Sequence, residues 1–475
     1  MTVDRLSGLD TAFLCLEGNG MPMHMGALAV FAPPLPISTE RLAAVLVQRA
    51  ERIPRLRHRV RAEWYRPDRV GWVEEPGFDA RDHVHTHFLR PAADLTNHVA
   101  RLMARPLNPA RPLWEAHVIG GLTGDRVGVL VKLHHALTDG TGAVMLAAGL
   151  LDGGHRAGEA KHASRETSPS DLWSAARQVV RVITSPSRLA RHAAETANIS
   201  ASVLRKSSPT AMAMSLTASP ADERRLATTR LHRDVLSRIR KLHGGTTNDA
   251  VLGVLTGAWR RWLHEHRLPV EQDAVRALIP VSIRGRRNGR RAGNQLSGYL
   301  CELPVGEPDP VLQLRTIRAR MNANKAAGPA RGAGAFPLLA ERVPPAVHRA
   351  MGPLLRRSAT LLFDTVITHV PLPDIPLHLD GAELHEVYPI VPLAHGQQLA
   401  VGVSTYHNKV HIGLHGAGNG LPDLQQLAAA IPDAASALEV PPPKESCRCE
   451  SPDHKHNGRM CQPSYPVDAQ SRQQR

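Results

Sequence analysis

The apolar positions that organise the chain lie between Val127 and Leu151, VGVLVKLHHALTDGTGAVMLAAGLL. Val127, Val129 and Val131 alternate with Leu130 in a run of β-favouring residues, which predicts a strand. From Gly142 to Leu151 the chain is rich in Ala, Leu and Met and free of Pro, which predicts an apolar helix. Between the two stand His134, His135, Ala136, Leu137, Thr138, Asp139 and Gly140. A strand that ends in two histidines, then a polar turn, then an apolar helix sets an imidazole at the mouth of a packed core.

Other periodic segments flank this one. His24 to Phe31 reads as a strand, and Ser38 to Arg52 as a helix capped by Ser38 with Leu42, Val45 and Leu46 on one face. Met21, Met23 and Met25 fit one face of a buried strand or the lining of a substrate tunnel. Pro54 to Val73 is basic and strand-like, and Ala93 to Met103 is helical. Further on, Arg233 to Leu242 and Ala250 to Leu263 are helices, Ala277 to Pro304 holds two strands around an arginine-rich loop, and Pro422 to Ala434 closes as a helix. Ala400 to Leu414 is a hairpin with Asn408 and Lys409 expected at its turn.

These elements divide the chain into a first lobe (1–152), a linker (153–222), a second lobe (223–437) and a disordered tail (438–475). Within the linker, Asp171 to Ile183 is an amphipathic basic helix that suits either a membrane interface or packing against a lobe. The tail carries Cys447, Cys449, His454, His456 and Cys461 in spacings that no standard zinc motif uses.

Composition narrows the partners. The chain has 58 Lys+Arg against 43 Asp+Glu, a net charge of +15, which fits nucleic acid, an anionic membrane surface or a polyphosphorylated ligand such as CoA. Aromatic residues are only 4%, too few for a base-stacking platform, so nucleic acid drops out. Five cysteines, an N-terminus without a signal-peptide pattern and no spanning apolar run lead to an expectation of a cytoplasmic protein, able to rest on the inner membrane or a lipid body.

The histidine turn raises two readings, a proton-transfer site and a metal site. An imidazole takes and returns a proton near neutral pH, so one histidine can act as a general base. Adjacent histidines on extended chain point to opposite sides, so one can face a substrate while the other packs behind it. Asp139 can accept N–H groups at the helix start or pair with an arginine, and Gly140 lets the chain turn. Zinc is disfavoured, because adjacent histidines do not supply the one-face spacing of a zinc helix, and no metal is expected. No G-x-S-x-G, Walker A or Rossmann fingerprint occurs, which removes the common hydrolase and nucleotide classes.

The stretch from His134 to Gly140 resembles the H-H-x-x-x-D-G motif of CoA-dependent acyltransferases, a superfamily that includes chloramphenicol acetyltransferase and peptide-synthetase condensation domains. Leu6-Ser7-x-x-Asp10-x-x-Phe13-Leu14, Pro22-Met23-His24-x-Gly26 and Pro112-Leu113-Trp114 resemble the bacterial wax ester synthase/diacylglycerol acyltransferase branch. So do Asn248-Asp249, Pro280-Val281-Ser282-x-Arg284, Gly293-Asn294-x-x-Ser297 and Leu303-Pro304. His369 and Leu372 stand where that family usually has Asn and Gly.

The resemblance spans roughly residues 4–435. It implies an α/β (α+β) fold of two chloramphenicol acetyltransferase-like lobes with mixed sheets and an active-site tunnel between them. It further implies transfer of a long-chain acyl group from acyl-CoA, a substrate and not a cofactor, to diacylglycerol or a long-chain alcohol. His135 would be the general base, His134 its support, and Asp139 structural, with Gly140, Asn248 and Asp249 as motif positions. Asn294, Ser297, Ser282 and Arg284 are the candidates for contacts to substrate or oxyanion. Two other readings stay open at this point: a catalytically silent protein that coats lipid droplets or membranes, and an acyltransferase that works with a carrier protein.

Overall fold

The computed structural model describes residues 4–18, 21–61, 71–91, 93–138, 140–152, 223–268, 270, 275–282, 296–327, 363–418, 421 and 423–440. The linker helix expected over 171–183, the arginine-rich loop and the Cys/His tail lie outside them.

In chain order the first half comprises β1 (Asp4–Arg5), α1 (Gly8–Leu16), β2 (His24–Ala32), α2 (Thr39–Ala50), β3 (His58–Arg61) and β4 (Gly71–Glu74). It continues with β5 (Val84–Phe88), α3 (Leu95–Ala104), β6 (Trp114–Gly120), β7 (Val127–His134) and α4 (Gly140–Gly149). The second half opens with β8 (Arg224–His232), α5 (Arg233–His243), α6 (Thr247–Glu265), β9 (Val275–Ser282), β10 (Leu296–Leu303) and α7 (Pro310–Ala327). It ends with β11 (Thr365–Pro371), β12 (His378–Leu379), β13 (Ala382–Ile390), β14 (Leu399–Tyr406), β15 (Lys409–Ala417) and α8 (Leu424–Leu438).

Two six-stranded sheets carry the fold. The first runs β12-β13-β2-β7-β6-β5, and the second β10-β9-β11-β14-β15-β8. Both are mixed, because β5 runs parallel to β6, and β11 runs parallel to β9 and β14, while the other pairs are antiparallel. Strand β7 lies near the middle of the first sheet and is covered on both faces. Val127, Val129 and Leu133 join Leu42 and Leu46 of α2, while Leu130 joins Val99 and Met103 of α3. Burial on both faces explains why its sequence is a nearly unbroken apolar run. In the second half the core gathers Trp259 and Trp262 of α6, Leu314 of α7, Ile431 of α8 and the strands Val401, Ile412 and Leu414.

Several boundaries differ from the sequence expectation. Strands β12 and β13 fall within the stretch assigned to the second lobe, yet they complete the first sheet. Pairing decides this: β13 runs antiparallel to β2 from Glu383 opposite Ala32 to Ile390 opposite Gly26. The hairpin turn is His407-Asn408, and Lys409 already pairs with Tyr406. His407 adopts a φ of 49°, which the turn needs and which a sequence pattern does not announce. Met21 and Met23 are buried just before β2 begins, so only Met25 belongs to the strand. The helix after the histidines starts at Gly140, two residues early.

The two sheets touch through backbone. A Cβ at Gly402 or at Gly413 would lie 2.4 Å from the Pro389 carbonyl oxygen, so β13 can approach β14 and β15 only because both positions lack a side chain. Ser404 Oγ adds a bond to the Val387 carbonyl at 2.5 Å.

Candidate active site

Strand β7 delivers the histidine pair. His134 is its last residue and lies opposite His24 of β2. The chain then turns, with the Leu137 N–H donating to the His134 carbonyl at 2.9 Å. The two imidazoles differ in burial: His134, the last strand residue, is fully buried, and His135, already in the turn, is half-buried.

Each histidine is held from a different direction. His134 Nδ1 accepts the Ala136 N–H at 3.0 Å, and its Nε2 lies 3.3 Å from Glu17 Oε2. Burial works to raise the Glu17 carboxyl, but His134 and the Met23 N–H outweigh it and leave it below its ordinary value. The His135 N–H donates to the Met23 carbonyl at 3.0 Å. Its ring stacks on Phe13 of α1, with centroids 4.0 Å apart, and its Nδ1 is closed off from solvent. Helix α1 is itself fixed by a capping box in which Ser7 and Asp10 exchange side-chain and backbone bonds.

The far side of the turn is anchored by Arg55. Its Nε and Nη2 both donate to the Leu137 carbonyl at 3.1 Å, and its guanidinium lies 4.2 Å from the Trp72 ring centroid. Next comes α4, whose first residue faces the second sheet: a Cβ on Gly140 would meet Val370 of β11 at 3.8 Å. The histidine turn therefore stands beside the strand that carries His369. His369 Nε2 lies 2.9 Å from Thr405 Oγ1, and burial pushes its imidazole below the usual value.

Behind the pair lies a buried polar layer. Lys132, fully buried, donates to Glu115 Oε2 at 2.9 Å and to the Arg105 carbonyl at 3.0 Å. His24 Nε2 lies 2.8 Å from the Met103 carbonyl oxygen. Burial, then the Lys132 charge, hold its imidazole neutral, well below the ordinary histidine range.

The other residues singled out from sequence fall in three groups. Asp139, Arg284 and Asn294 lie outside the described residues. Ser282 and Ser297 stand on neighbouring strands, Ser282 opposite Leu296 and Ser297 opposite Val281, at one edge of the second sheet. Asn248 and Asp249 open α6. Asp249 is buried and completes a capping box, its Oδ2 accepting the Thr246 N–H and hydroxyl at 2.8 Å each. That is a structural task, and it ties Asp249 to its own helix and not to the histidines. Glu17, Arg55 and Phe13 escaped the sequence reading as site residues, because they meet the turn from 117, 82 and 122 residues away.

Among the described residues, no cluster of three or more His, Cys, Asp or Glu side chains could hold a metal ion. No described helix is long and apolar enough to cross a membrane.

The wax ester synthase/diacylglycerol acyltransferase catalytic domain matches residues 6–251, and the WS/DGAT C-terminal domain matches residues 292–439. The probable diacylglycerol O-acyltransferase tgs1 of Mycobacterium tuberculosis is 31% identical over 456 residues, covering 92% of this chain and 96% of that one. Its counterpart tgs2 is 29% identical over 461 residues, covering 92% and 99%. The wax ester synthase/diacylglycerol acyltransferase of Marinobacter aquaeolei superposes with a TM-score of 0.67 at 23% identity, covering 92% of this chain and 99% of that one. The trichothecene 15-O-acetyltransferase TRI3 of Fusarium sporotrichioides shares the fold at a TM-score of 0.59 and 13% identity, covering 92% and 95%. With both domains matched in order and a full-length relative above 30% identity, the chain belongs to the wax ester synthase/diacylglycerol acyltransferase family.

Proposed function

We propose that the protein is an acyl-CoA-dependent O-acyltransferase that converts diacylglycerol to triacylglycerol, with His135 as general base. One observation carries the reading: a half-buried imidazole is held by stacking and by a backbone bond in the turn of the H-H-x-x-x-D-G motif. The full-length relatives named diacylglycerol O-acyltransferases support diacylglycerol over a long-chain alcohol as acceptor.

The step balances simply. His135 takes the proton of the acceptor hydroxyl as its oxygen attacks the thioester carbonyl. The tetrahedral intermediate then collapses, the C–S bond breaks, and the imidazolium returns the proton to the CoA thiolate. Nδ1 is closed off from solvent, so the transfer is assigned to Nε2. Acyl-CoA is substrate, and no cofactor takes part. Proximity and base catalysis supply the rate, because no covalent enzyme intermediate is needed. Asn294, Ser297, Ser282 and Arg284 remain the candidates for binding the acyl donor or the oxyanion.

A lipid acceptor calls for peripheral contact with a membrane or lipid droplet. Leu35 and Phe88, 76% and 78% exposed, suit such contact on a chain of net charge +15. The test is thiol release and lipid product from palmitoyl-CoA with diacylglycerol, run beside hexadecanol. His135→Ala abolishes turnover while leaving the melting temperature in place, and retained turnover removes His135 from the role. Vesicle binding without any turnover in the wild type leaves only the lipid-coating reading.

A further inference from the structure

We propose that Glu17 is a positioning residue for the acyl transfer: it fixes the orientation and tautomer of His134, and through that ring the turn that presents His135. The inference rests on His135 as the base.

The geometry runs as a closed circuit. His134 Nδ1 accepts the Ala136 N–H, so Nδ1 carries no proton and the proton of the neutral ring sits on Nε2. That Nε2 is buried, and no straighter hydrogen bond relieves it. The carboxylate of Glu17 stands 3.3 Å away and is the group that compensates the buried N–H. Glu17 Oε1 turns the other way and accepts the Met23 N–H at 3.4 Å. Met23 in turn receives the His135 N–H on its carbonyl at 3.0 Å. One carboxylate therefore braces both residues of the pair, one through a ring and one through a backbone.

The same short segment also orients the second ring. Glu17 caps α1, its N–H bonded to the Phe13 carbonyl at 3.2 Å, and Phe13 is the ring stacked on His135. Removal of the carboxylate leaves a buried donor without compensation and frees His134 to rotate. His134 is joined to His135 by a single peptide bond, so a small rotation there displaces the base. A displacement of ~1 Å is enough to cost about a hundredfold in rate.

Charge and contact are separable. Glu17→Gln keeps an acceptor oxygen for the Nε2 proton and loses the charge. Glu17→Asp keeps the charge and draws the carboxylate back by one methylene. Orientation through a contact predicts that Gln restores most of what Ala removes and that Asp does not.

The experiment is a double-mutant cycle on the full chain, read as kcat and KM for palmitoyl-CoA. His134→Asn is the partner change, since its amide oxygen can replace Nδ1 toward Ala136 while the Nε2 arm disappears. Glu17→Ala and His134→Asn should each lower kcat by about tenfold to a hundredfold with KM unchanged. The double variant should lose no more than the worse single. Multiplicative losses in the double variant, a loss confined to KM, or failure of Gln to restore kcat would overturn the assignment. If Glu17→Ala does not fold, Glu17→Asp takes its place in the cycle. His135→Ala is measured alongside: turnover that survives it refutes the base, whereas additive losses with an inert His135→Ala refute only the Glu17 role.

Discussion

Phe13 lies nearly flat on His135, the ring planes inclined by 23°. The contact joins a residue of α1 to the turn after β7 and closes one face of the imidazole. A stacked ring restricts rotation about χ2 without covering the edge of the imidazole. Stacking of this kind contributes ~0.5–1.5 kcal/mol beyond area burial. Phe13→Ala is expected to lower kcat by about tenfold through loss of orientation. Phe13→Tyr keeps the stack and should retain most of the rate. Steady-state kinetics on both variants, with melting temperatures as a folding control, decide the point. Equal losses in Ala and Tyr would detach the stack from catalysis.

Arg55 holds the opposite side of the turn with two N–H groups on a single carbonyl, that of Leu137, while resting on Trp72. Lysine cannot reproduce a planar two-pronged donor that also stacks. Arg55→Lys is therefore expected to cost ~1–2 kcal/mol of stability and to lower kcat, despite the conserved charge. Urea unfolding read by tryptophan fluorescence measures the first effect, and thiol release measures the second. A variant with wild-type stability and rate would show that Leu137 is anchored without Arg55.

The sequence made the histidine turn legible for a physical reason. A strand, a polar break and an apolar helix are local patterns, and each is set by residues within a few positions of one another. Ser38 as a cap, with its oxygen accepting the Arg41 N–H, was readable in the same way. What bears on His134 and His135 from outside was not readable. Glu17 sits in an unremarked spot after α1, and Arg55 reads as one more basic residue in an arginine-rich chain. Lys132 shows the limit plainly: a lysine in an apolar strand is buried because Glu115, 17 residues earlier on β6, meets it across the ladder. The return of β13 to the first sheet was also hidden, since nothing local in Ala382–Ile390 names its neighbour β2.

The contact between the sheets predicts a sharp steric effect. At Gly402 an added methyl would meet the Pro389 carbonyl carbon at 2.9 Å and its oxygen at 2.4 Å. Both are backbone atoms of a paired strand, so neither can swing aside. Gly402→Ala is expected to destabilise by at least ~2 kcal/mol. Gly77, where a Cβ would meet nothing within 4 Å, is the control, and Gly77→Ala should stay within ~0.5 kcal/mol of wild type. Denaturant midpoints at constant slope compare the two. A silent Gly402→Ala would mean that β13 and β14 are not in close backbone contact.

Stability should fall on mild acidification, and the buried histidines set the window. Burial pushes the imidazoles of His411 and His415 down to about 4, and both residues are buried on β15. In the unfolded chain each returns to ~6.5. Between these values the unfolded state binds protons that the folded state refuses, so acid favours unfolding. Each neutral ring contributes stability that is complete above pH ~6.5 and is lost as the pH drops through about 4. At full effect this amounts to about 3 kcal/mol per histidine. The melting temperature should therefore be level from pH 7.5 down to ~6.5 and then decline steadily to pH ~4.5. His411→Gln, which cannot titrate, should decline less steeply over the same range, whatever its stability at neutral pH. Parallel curves for the variant and the wild type would assign the acid sensitivity to other groups.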